Sequence, residues 1–219
     1  MRPHRRYRPG GSIRPHLAVL LLLTGVLLPL LLRELAPPAP APLPEGEALE
    51  RVRAALPEEL DPLRRAFVES GASLVGRVGY FWGGKSDAVG WDERWGVPAV
   101  VTAPGSGDTG RSLPFGLDCS GFVSWCAVNA AGDDAAGAVI GDGVRGQWAR
   151  CTPVAWEAAR PGDLLVFPDL SHVGVAAGWG ADGKLMVLHC SHSLGGVVCS
   201  PDARAAGFTG AGIPALFGP

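Results

Sequence analysis

Residues 117–130 read LDCSGFVSWCAVNA, and this central stretch determines what the rest of the fold is built around. Asp118 is a typical helix N-cap, so a helix is predicted to begin at Cys119. The apolar side chains that follow recur at helical spacing: Phe122, Val123, Cys126 and Ala130. Unpaired N–H groups in a first helical turn favour a thiolate, which makes Cys119 a candidate nucleophile. Cys126 is expected to be a small buried side chain.

Three histidines are candidates for the base that a nucleophilic thiol requires. His172 opens one predicted strand, His189 ends the next, and His192 follows shortly after. Two adjacent antiparallel strands would place the first two imidazoles on one face, within reach of a helix N-terminus packed against the sheet. From the pattern alone, an inert cysteine and two structural histidines remain the alternative interpretation.

Short apolar runs separated by Gly and Pro follow Gly76 and predict strands. These runs lie at 164–167, 173–177 and 185–188. Before them, helical spacing predicts one helix over residues 45–56, and an Asp-Pro start signal predicts a second from Asp61 to about Val75. Helices followed by sequential short strands favour an α+β fold with an antiparallel sheet.

Two segments have neither the apolar spacing of a helix nor the short apolar runs of strands. Residues 85–114 contain Gly, Asp, Ser and two tryptophans, Trp91 and Trp95, and are predicted to form a long loop. A loop of this length within a compact domain is usually functional. Residues 135–146 are rich in Gly and Ala and are predicted to be irregular.

Residues 17–32 read LAVLLLLTGVLLPLLL, and no charged residue lies between Arg14 and Arg33. A helix over these positions would be about 27 Å long, close to the hydrocarbon thickness of a bilayer. The arginines before the run are typical of a cytoplasmic flank. We therefore predict a single-pass signal-anchor through residues 15–33, with the body of the chain on the extracytoplasmic face.

Two alternatives to this anchor are open. A cleaved signal peptide would give a secreted protein, but proline directly after Ala36 disfavours cleavage. A buried core helix is disfavoured by the leucine-rich composition behind a basic flank. The domain organisation predicted is a cytoplasmic flank and anchor over 1–35, a Pro-rich spacer and helical stem over 36–70, and a body over 71–219.

The net charge of −2 combines two regions of opposite sign. Five arginines and no acidic residue precede residue 15, whereas the chain from Ala36 onward has 13 basic and 20 acidic residues, a net charge of −7. An acidic body excludes a typical nucleic-acid-binding protein, whose footprint is a basic face.

Five segments, in this order, resemble the NlpC-type family of bacterial cell-wall cysteine peptidases. They are YFWGG at 80–84, DCSGFV at 118–123, RPGDL at 160–164, SHVGV at 171–175 and LHC at 188–190. The resemblance spans residues 71–219. It implies a papain-like α+β fold, in which the helix with the nucleophile packs on an antiparallel sheet. It also implies cleavage of peptidoglycan stem peptides after γ-D-glutamate.

The resemblance also implies roles for individual residues. Cys119 becomes the nucleophile and His172 the base. His189 takes the third, orienting position, which the family fills with His, Asn or Gln. Tyr80 matches a family tyrosine near the oxyanion and the substrate amine, and Trp82 lies in the same motif as a substrate-binding candidate.

Asp118 and Ser120 resemble residues that hold the substrate's amine in some members of the family. A plain N-cap is the alternative role for Asp118. The chain departs from the common pattern because 35 positions separate Gly84 from Cys119, whereas most relatives keep this distance to about a dozen. The insert either forms a wall or lid of the cleft or is a surface loop packed by its own aromatic residues.

The other cysteines suggest two further features. Disulfides are permitted in an exported protein, and Cys190 with Cys199 across a predicted hairpin is the favoured pair. A zinc site formed by His189, Cys190 and His192 with Cys199 is disfavoured because adjacent strand residues point to opposite faces. We expect neither a metal nor another cofactor.

The leading hypothesis is a membrane-tethered, monomeric cysteine endopeptidase that acts on peptidoglycan stem peptides. An amidase that cuts between muramic acid and L-alanine is a second enzyme hypothesis. The third is a cell-wall binding module without activity. The three intact residues Cys119, His172 and His189 disfavour this third hypothesis.

Overall fold

A computed structural model describes residues 40–218 of the 219-residue chain. The described residues form one compact unit. The predicted anchor at 15–33 and the domain predicted over 1–35 lie outside the described residues. Among residues 40–218, the structure contains no helix that is both long and apolar enough to cross a membrane.

Two helices precede the segment that carries Cys119. Helix α1 spans Glu45–Ala55, and helix α2 spans Pro62–Ser73. The Asp61 side chain caps α2 by accepting a hydrogen bond from the Arg64 N–H at 3.0 Å, as the Asp-Pro signal predicts. The buried faces of both helices pack into the main hydrophobic core, so the predicted stem is part of the same compact unit.

Helix α3, Cys119–Ala131, is the central helix of the molecule. Its buried side chains, among them Phe122 and Cys126, pack against α2, where Gly71 leaves room for both of them. Two short helices follow, α4 over Ala135–Ile140 and α5 over Gly143–Trp148. The prediction that residues 135–146 are irregular is therefore wrong: Gly141 separates the two helices, and the other glycines lie within them.

A six-stranded sheet forms the second layer. Its strands are β3 Cys151–Val154, β4 Leu164–Val166, β5 Val173–Trp179, β6 Leu185–Ser191, β7 Gly196–Ser200 and β8 Gly210–Pro214. They lie in the order β3-β8-β4-β5-β6-β7, and every neighbouring pair is antiparallel. The predicted strands are present, and the α+β class with a helix packed on an antiparallel sheet is confirmed.

Strand β6 is buried on both faces of the sheet. Leu188 and Cys190 belong to the core cluster beneath α3, whereas Val187 belongs to a second cluster around Phe208. His189 packs its ring against Phe208 as well. Successive side chains of a strand point to opposite faces of the sheet, so His189 and Cys190 lie on opposite faces.

The insert over residues 85–114 is more ordered than the predicted loop. It contains a small hairpin of strands β1, Pro98–Val100, and β2, Ser112–Pro114. Trp95 lies between Trp91 and Trp125 in edge-to-face contacts, with ring centroids 4.7 and 5.4 Å apart. The insert therefore packs on α3 through its own aromatic side chains.

Candidate active site

A cleft of about 690 Å³ brings Cys119, His172 and His189 together, with Tyr80 on its wall. Cys119 is the first residue of α3, His172 directly precedes β5, and His189 lies on the neighbouring strand β6. The packing of α3 on β5 and β6 thus assembles one thiol and two imidazoles from three separate elements.

A chain of hydrogen bonds fixes the orientation of the two imidazoles. Nε2 of His172 lies 2.8 Å from Nδ1 of His189, and Nε2 of His189 lies 3.0 Å from Oγ of Ser200. If His172 donates its Nε2–H to His189, then His189 carries its own proton on Nε2 and donates it to Ser200. This arrangement leaves Nδ1 of His172 free to accept the proton of a thiol.

Aromatic rings surround both histidines. Phe208 lies 5.5 Å from the His172 ring and 5.3 Å from the His189 ring between centroids, and Phe167 lies 5.0 Å from His172. Burial among these apolar groups lowers the pKa of His172 to about 4 and that of His189 to about 3. Both imidazoles are therefore neutral at neutral pH, which a general base requires.

The environment of Cys119 holds its sulfur as a neutral thiol in the resting site. Burial raises its pKa to about 11, and the negative charge of Asp118 adds to this effect. The backbone N–H groups of Val173 and Ser120 act in the opposite direction and favour the thiolate. We therefore expect the proton to leave Cys119 as attack takes place, instead of residing on His172 beforehand.

Tyr80 keeps its proton in this cleft. Burial raises the pKa of its phenol well above the usual value, and the charge of a Cys119 thiolate raises it further. Its ring lies edge-to-face with that of His192, 5.0 Å away between centroids. The half-buried Tyr80 therefore offers the cleft an O–H donor beside the nucleophile.

Three of the predicted substrate-binding residues do not line the cleft. Oδ1 of Asp118 accepts hydrogen bonds from the Gly121 N–H at 2.6 Å and from Nζ of Lys85 at 3.1 Å. Lys85 also donates to Oγ of Ser120 at 2.5 Å. Trp82 donates its indole N–H to the Pro104 carbonyl at 3.0 Å, within the insert. Their role in substrate binding remains a prediction.

Ser200 and Lys85 were missed by sequence reasoning. Ser200 lies on β7 and pairs with Val187, two residues before His189, so it shares a face with the imidazole. Only the β6–β7 register reveals this proximity. A serine directly after a Val-Val-Cys run is otherwise an unremarkable strand residue.

Residues 40–42 of the Pro-rich segment also line the cleft. The next residue, Leu43, donates its N–H to the Cys199 carbonyl of β7 at 2.9 Å. The last part of the predicted spacer is therefore bound to the sheet beside the site.

The five cysteines are free thiols in the structure. The favoured disulfide is absent because Cys199 pairs with Leu188 across the β6–β7 hairpin, whereas Cys190 pairs with Val197. Within residues 40–218, no group of three His, Cys, Asp or Glu side chains is arranged to hold a metal ion.

Comparisons with known proteins give structural similarities at low sequence identity. No protein-family model and no curated protein matches the chain. The peptidoglycan hydrolase RipB of Mycobacterium tuberculosis is 22% identical, with a TM-score of 0.48, over 91% of this chain and 85% of RipB. The P60 domain of an antigen of M. avium subspecies paratuberculosis is 24% identical, with a TM-score of 0.45, over 70% of this chain and 95% of the domain.

A third similar structure is RipD of M. tuberculosis, described as a non-catalytic NlpC/p60 domain protein adapted to peptidoglycan binding. It is 18% identical, with a TM-score of 0.45, over 70% of this chain and 98% of RipD. The solved structures that this chain is similar to are thus NlpC/p60 domains, and they include both hydrolases and a non-catalytic protein.

Proposed function

We propose that this protein is an NlpC-type, papain-like cysteine peptidase that hydrolyses peptidoglycan stem peptides. The observation that carries the proposal is the hydrogen-bonded pair His172–His189 in the same cleft as Cys119, the first residue of a helix. It supplies a nucleophile, a neutral base and a group that orients the base. The five motifs at residues 80–190 support the family and the substrate class.

In the first half of the reaction, the Cys119 sulfur attacks the carbonyl carbon of the scissile amide. Its proton passes to Nδ1 of His172, and the resulting imidazolium is stabilised by donating its Nε2–H to Nδ1 of His189. The imidazolium then protonates the leaving amine, the C–N bond breaks, and a thioester forms. The N–H of Cys119 and the O–H of Tyr80 are the donors that we assign to the oxyanion.

In the second half, a water molecule attacks the thioester carbonyl. His172, neutral again, accepts a proton of this water at Nδ1 and returns it to the departing sulfur. The product is a free carboxylic acid, and Cys119 recovers its thiol. The apolar surroundings of the two histidines keep the base neutral at the start of each half, ready to accept a proton.

We propose γ-D-glutamate as the residue on the carbonyl side of the scissile bond, as the family resemblance implies. The cleft lining among the described residues contains no Lys, Arg, Asp or Glu. Hydroxyl groups of serines, the phenol of Tyr80 and backbone groups are therefore available to bind the many carbonyls and amides of a stem peptide.

We also propose that residues 15–33 anchor the chain in the cell membrane, with the peptidase outside the cytoplasm. The apolar run at 17–32 and the basic flank before it support this topology. Fractionation of cells, followed by protease treatment of intact spheroplasts, tests it. Recovery of a shortened protein in the medium would show instead that the segment is cleaved.

The catalytic proposal is tested by incubating the full-length chain with purified muropeptides and identifying the products by mass. Products that end in D-glutamate are expected from the wild type and not from Cys119→Ala. Cys151→Ala is the matched control, since this thiol does not line the cleft.

Other products would point to other functions. A released lactyl-sugar would identify the amidase. Binding of muropeptides without cleavage by the wild type would identify a non-catalytic cell-wall module.

A further inference from the structure

The turn that contains Gly84 and Lys85 is pressed against the first turn of α3. The Gly84 carbonyl accepts a hydrogen bond from the Asp118 N–H at 3.1 Å. A Cβ atom on Gly121 would collide with the same carbonyl oxygen, so only glycine at residue 121 allows this approach. The backbone therefore positions Lys85 directly beside the residues that flank the nucleophile.

The Lys85 ammonium has three oxygen partners. Nζ lies 2.5 Å from Oγ of Ser120, 3.1 Å from Oδ1 of Asp118 and 3.4 Å from Oδ1 of Asp142. The side chain of Asp118 is 11% exposed, whereas that of Asp142 is 89% exposed. Water screens the contact with Asp142, so Asp118 is the partner whose charge Lys85 affects most.

Asp118 is needed for α3 but disfavours ionisation of the nucleophile. Its carboxylate caps the helix through the Gly121 N–H, and its negative charge opposes a second negative charge on Cys119. Lys85 acts on Cys119 in the opposite direction. A cation beside the negatively charged helix cap therefore offsets its effect on the Cys119 sulfur.

The other elements around Cys119 provide no such cation at neutral pH. His172 before β5 and His189 on β6 are neutral there, and Tyr80 and Cys190 keep their protons because burial raises the pKa of both. Lys85 is therefore the cation in the immediate surroundings of Asp118 and Cys119, as far as the described residues show.

We propose that Lys85 is an electrostatic positioning residue, whose ammonium neutralises the Asp118 carboxylate and thereby favours the thiolate of Cys119. This inference rests on the proposed function of Cys119 as the nucleophile. Lys85 itself does not touch the substrate or the reacting atoms. Its contribution is to make the charged helix cap compatible with thiolate formation.

The test measures alkylation of Cys119 by iodoacetamide in the full-length chain as a function of pH. The modified Cys119 peptide is quantified by mass spectrometry, so that the other four cysteines do not contribute. The variants are Lys85→Met, Lys85→Arg, Asp118→Asn and the double variant Lys85→Met/Asp118→Asn. Asparagine is also a good N-cap, so α3 keeps its cap in the third and fourth variants.

We expect Lys85→Met to shift the pH profile upward by about one pH unit, a roughly tenfold slower reaction at pH 8 with the same limiting rate at high pH. Lys85→Arg should leave the profile near that of the wild type, because the charge remains. Asp118→Asn should shift it downward. The double variant should return to the wild-type profile, since both charges are gone.

Two results would overturn the proposal. One is a Lys85→Met profile that coincides with that of the wild type. The other is a double variant that remains as slow as Lys85→Met, which would mean that Lys85 acts only on local structure. The alkylation readout does not depend on peptide cleavage. A protein that shows the expected shifts but cleaves no muropeptide would therefore contradict the proposed function and leave the role of Lys85 intact.

Discussion

Nε2 of His172 lies 2.8 Å from Nδ1 of His189, so the imidazole that we propose as the base is oriented by a second imidazole and not by a carboxylate. A buried carboxylate would raise the pKa of the base and favour its protonated form, whereas a neutral imidazole does not. In the proposed mechanism the base is therefore neutral at rest and accepts a proton only when the thiol attacks.

His189→Asn should retain activity within about tenfold of the wild type, because an amide oxygen can still accept the Nε2–H of His172. His189→Ala should lower kcat/KM by about 100-fold, since the base loses its orientation. Muropeptide turnover measures both variants. Equal losses in the two variants would show that the hydrogen bond to His172 is not what His189 contributes.

Ser200→Ala should lower kcat by about three- to tenfold and destabilise the fold by about 1–3 kcal/mol, because the buried Nε2–H of His189 loses its partner. Ser191→Ala is the matched control, since this serine lines the same cleft and bonds to Ser193 instead of a histidine. Turnover and urea unfolding are the measurements. Identical behaviour of the two variants would contradict a role of Ser200 in fixing the tautomer of His189.

The free energy of unfolding should decrease as the pH falls from about 6.5 toward 4. Burial lowers the folded-state pKa of His172 to about 4 and of His189 to about 3, so the unfolded chain binds protons in this interval that the folded chain does not. Above about pH 6.5 the two histidines are largely neutral in both the folded and the unfolded chain. Their protonation then no longer lowers the free energy of unfolding.

For His172 alone the loss should reach about 2–3 kcal/mol by pH 4.5. Urea unfolding at a series of pH values measures it. His189→Asn should reduce the slope, whereas His192→Gln should not, because His192 is 67% exposed. A wild-type curve that is flat between pH 6.5 and 4.5 would show that the histidines are not buried in the neutral form.

Asp163→Asn should destabilise the fold by about 3–5 kcal/mol. Asp163 is fully buried, and its carboxylate accepts hydrogen bonds from Nη1 of Arg64 at 2.7 Å and from the Arg160 N–H at 2.8 Å. The bond to Arg64 joins α2 to the start of β4. Glu157→Gln, at an exposed ion pair of 3.8 Å with Arg204, should change stability by less than about 0.5 kcal/mol. Thermal or urea unfolding of the two variants provides the comparison.

Asp108→Ala should raise KM about five- to tenfold with little change in kcat. Asp108 belongs to the insert and lies 3.1 Å from Nε2 of His192, which lines the cleft and packs against Tyr80. The carboxylate therefore couples the insert to one wall of the site. Glu93→Ala, at an exposed position of the same insert, is the control. An unchanged KM in Asp108→Ala would identify the insert as a surface loop without a role in substrate binding.

The sequence determined the elements of this protein through local rules. The Asp118 cap and the apolar spacing after it predicted Cys119 at a helix start. The apolar run after His172 and the apolar run before His189 predicted these two residues at strand ends. Such signals depend on neighbours within a few residues, which is why they could be predicted. The short helices α4 and α5 were not, because glycine is a weak guide to where a helix ends when tertiary packing stabilises it.

Only the tertiary structure decided which side chains meet. Ser200 reaches His189 through the register of β6 and β7, and the same register separates Cys190 from Cys199. Lys85 reaches Asp118 because a turn 33 residues earlier packs against the helix start. These contacts depend on how distant segments pack, and a one-residue change in the β6–β7 register would move Ser200 to the other face of the sheet from His189. The sequence by itself singled out Cys119, His172 and His189 as candidates, and the packing of distant segments decided how their side chains are oriented and which charges lie beside them.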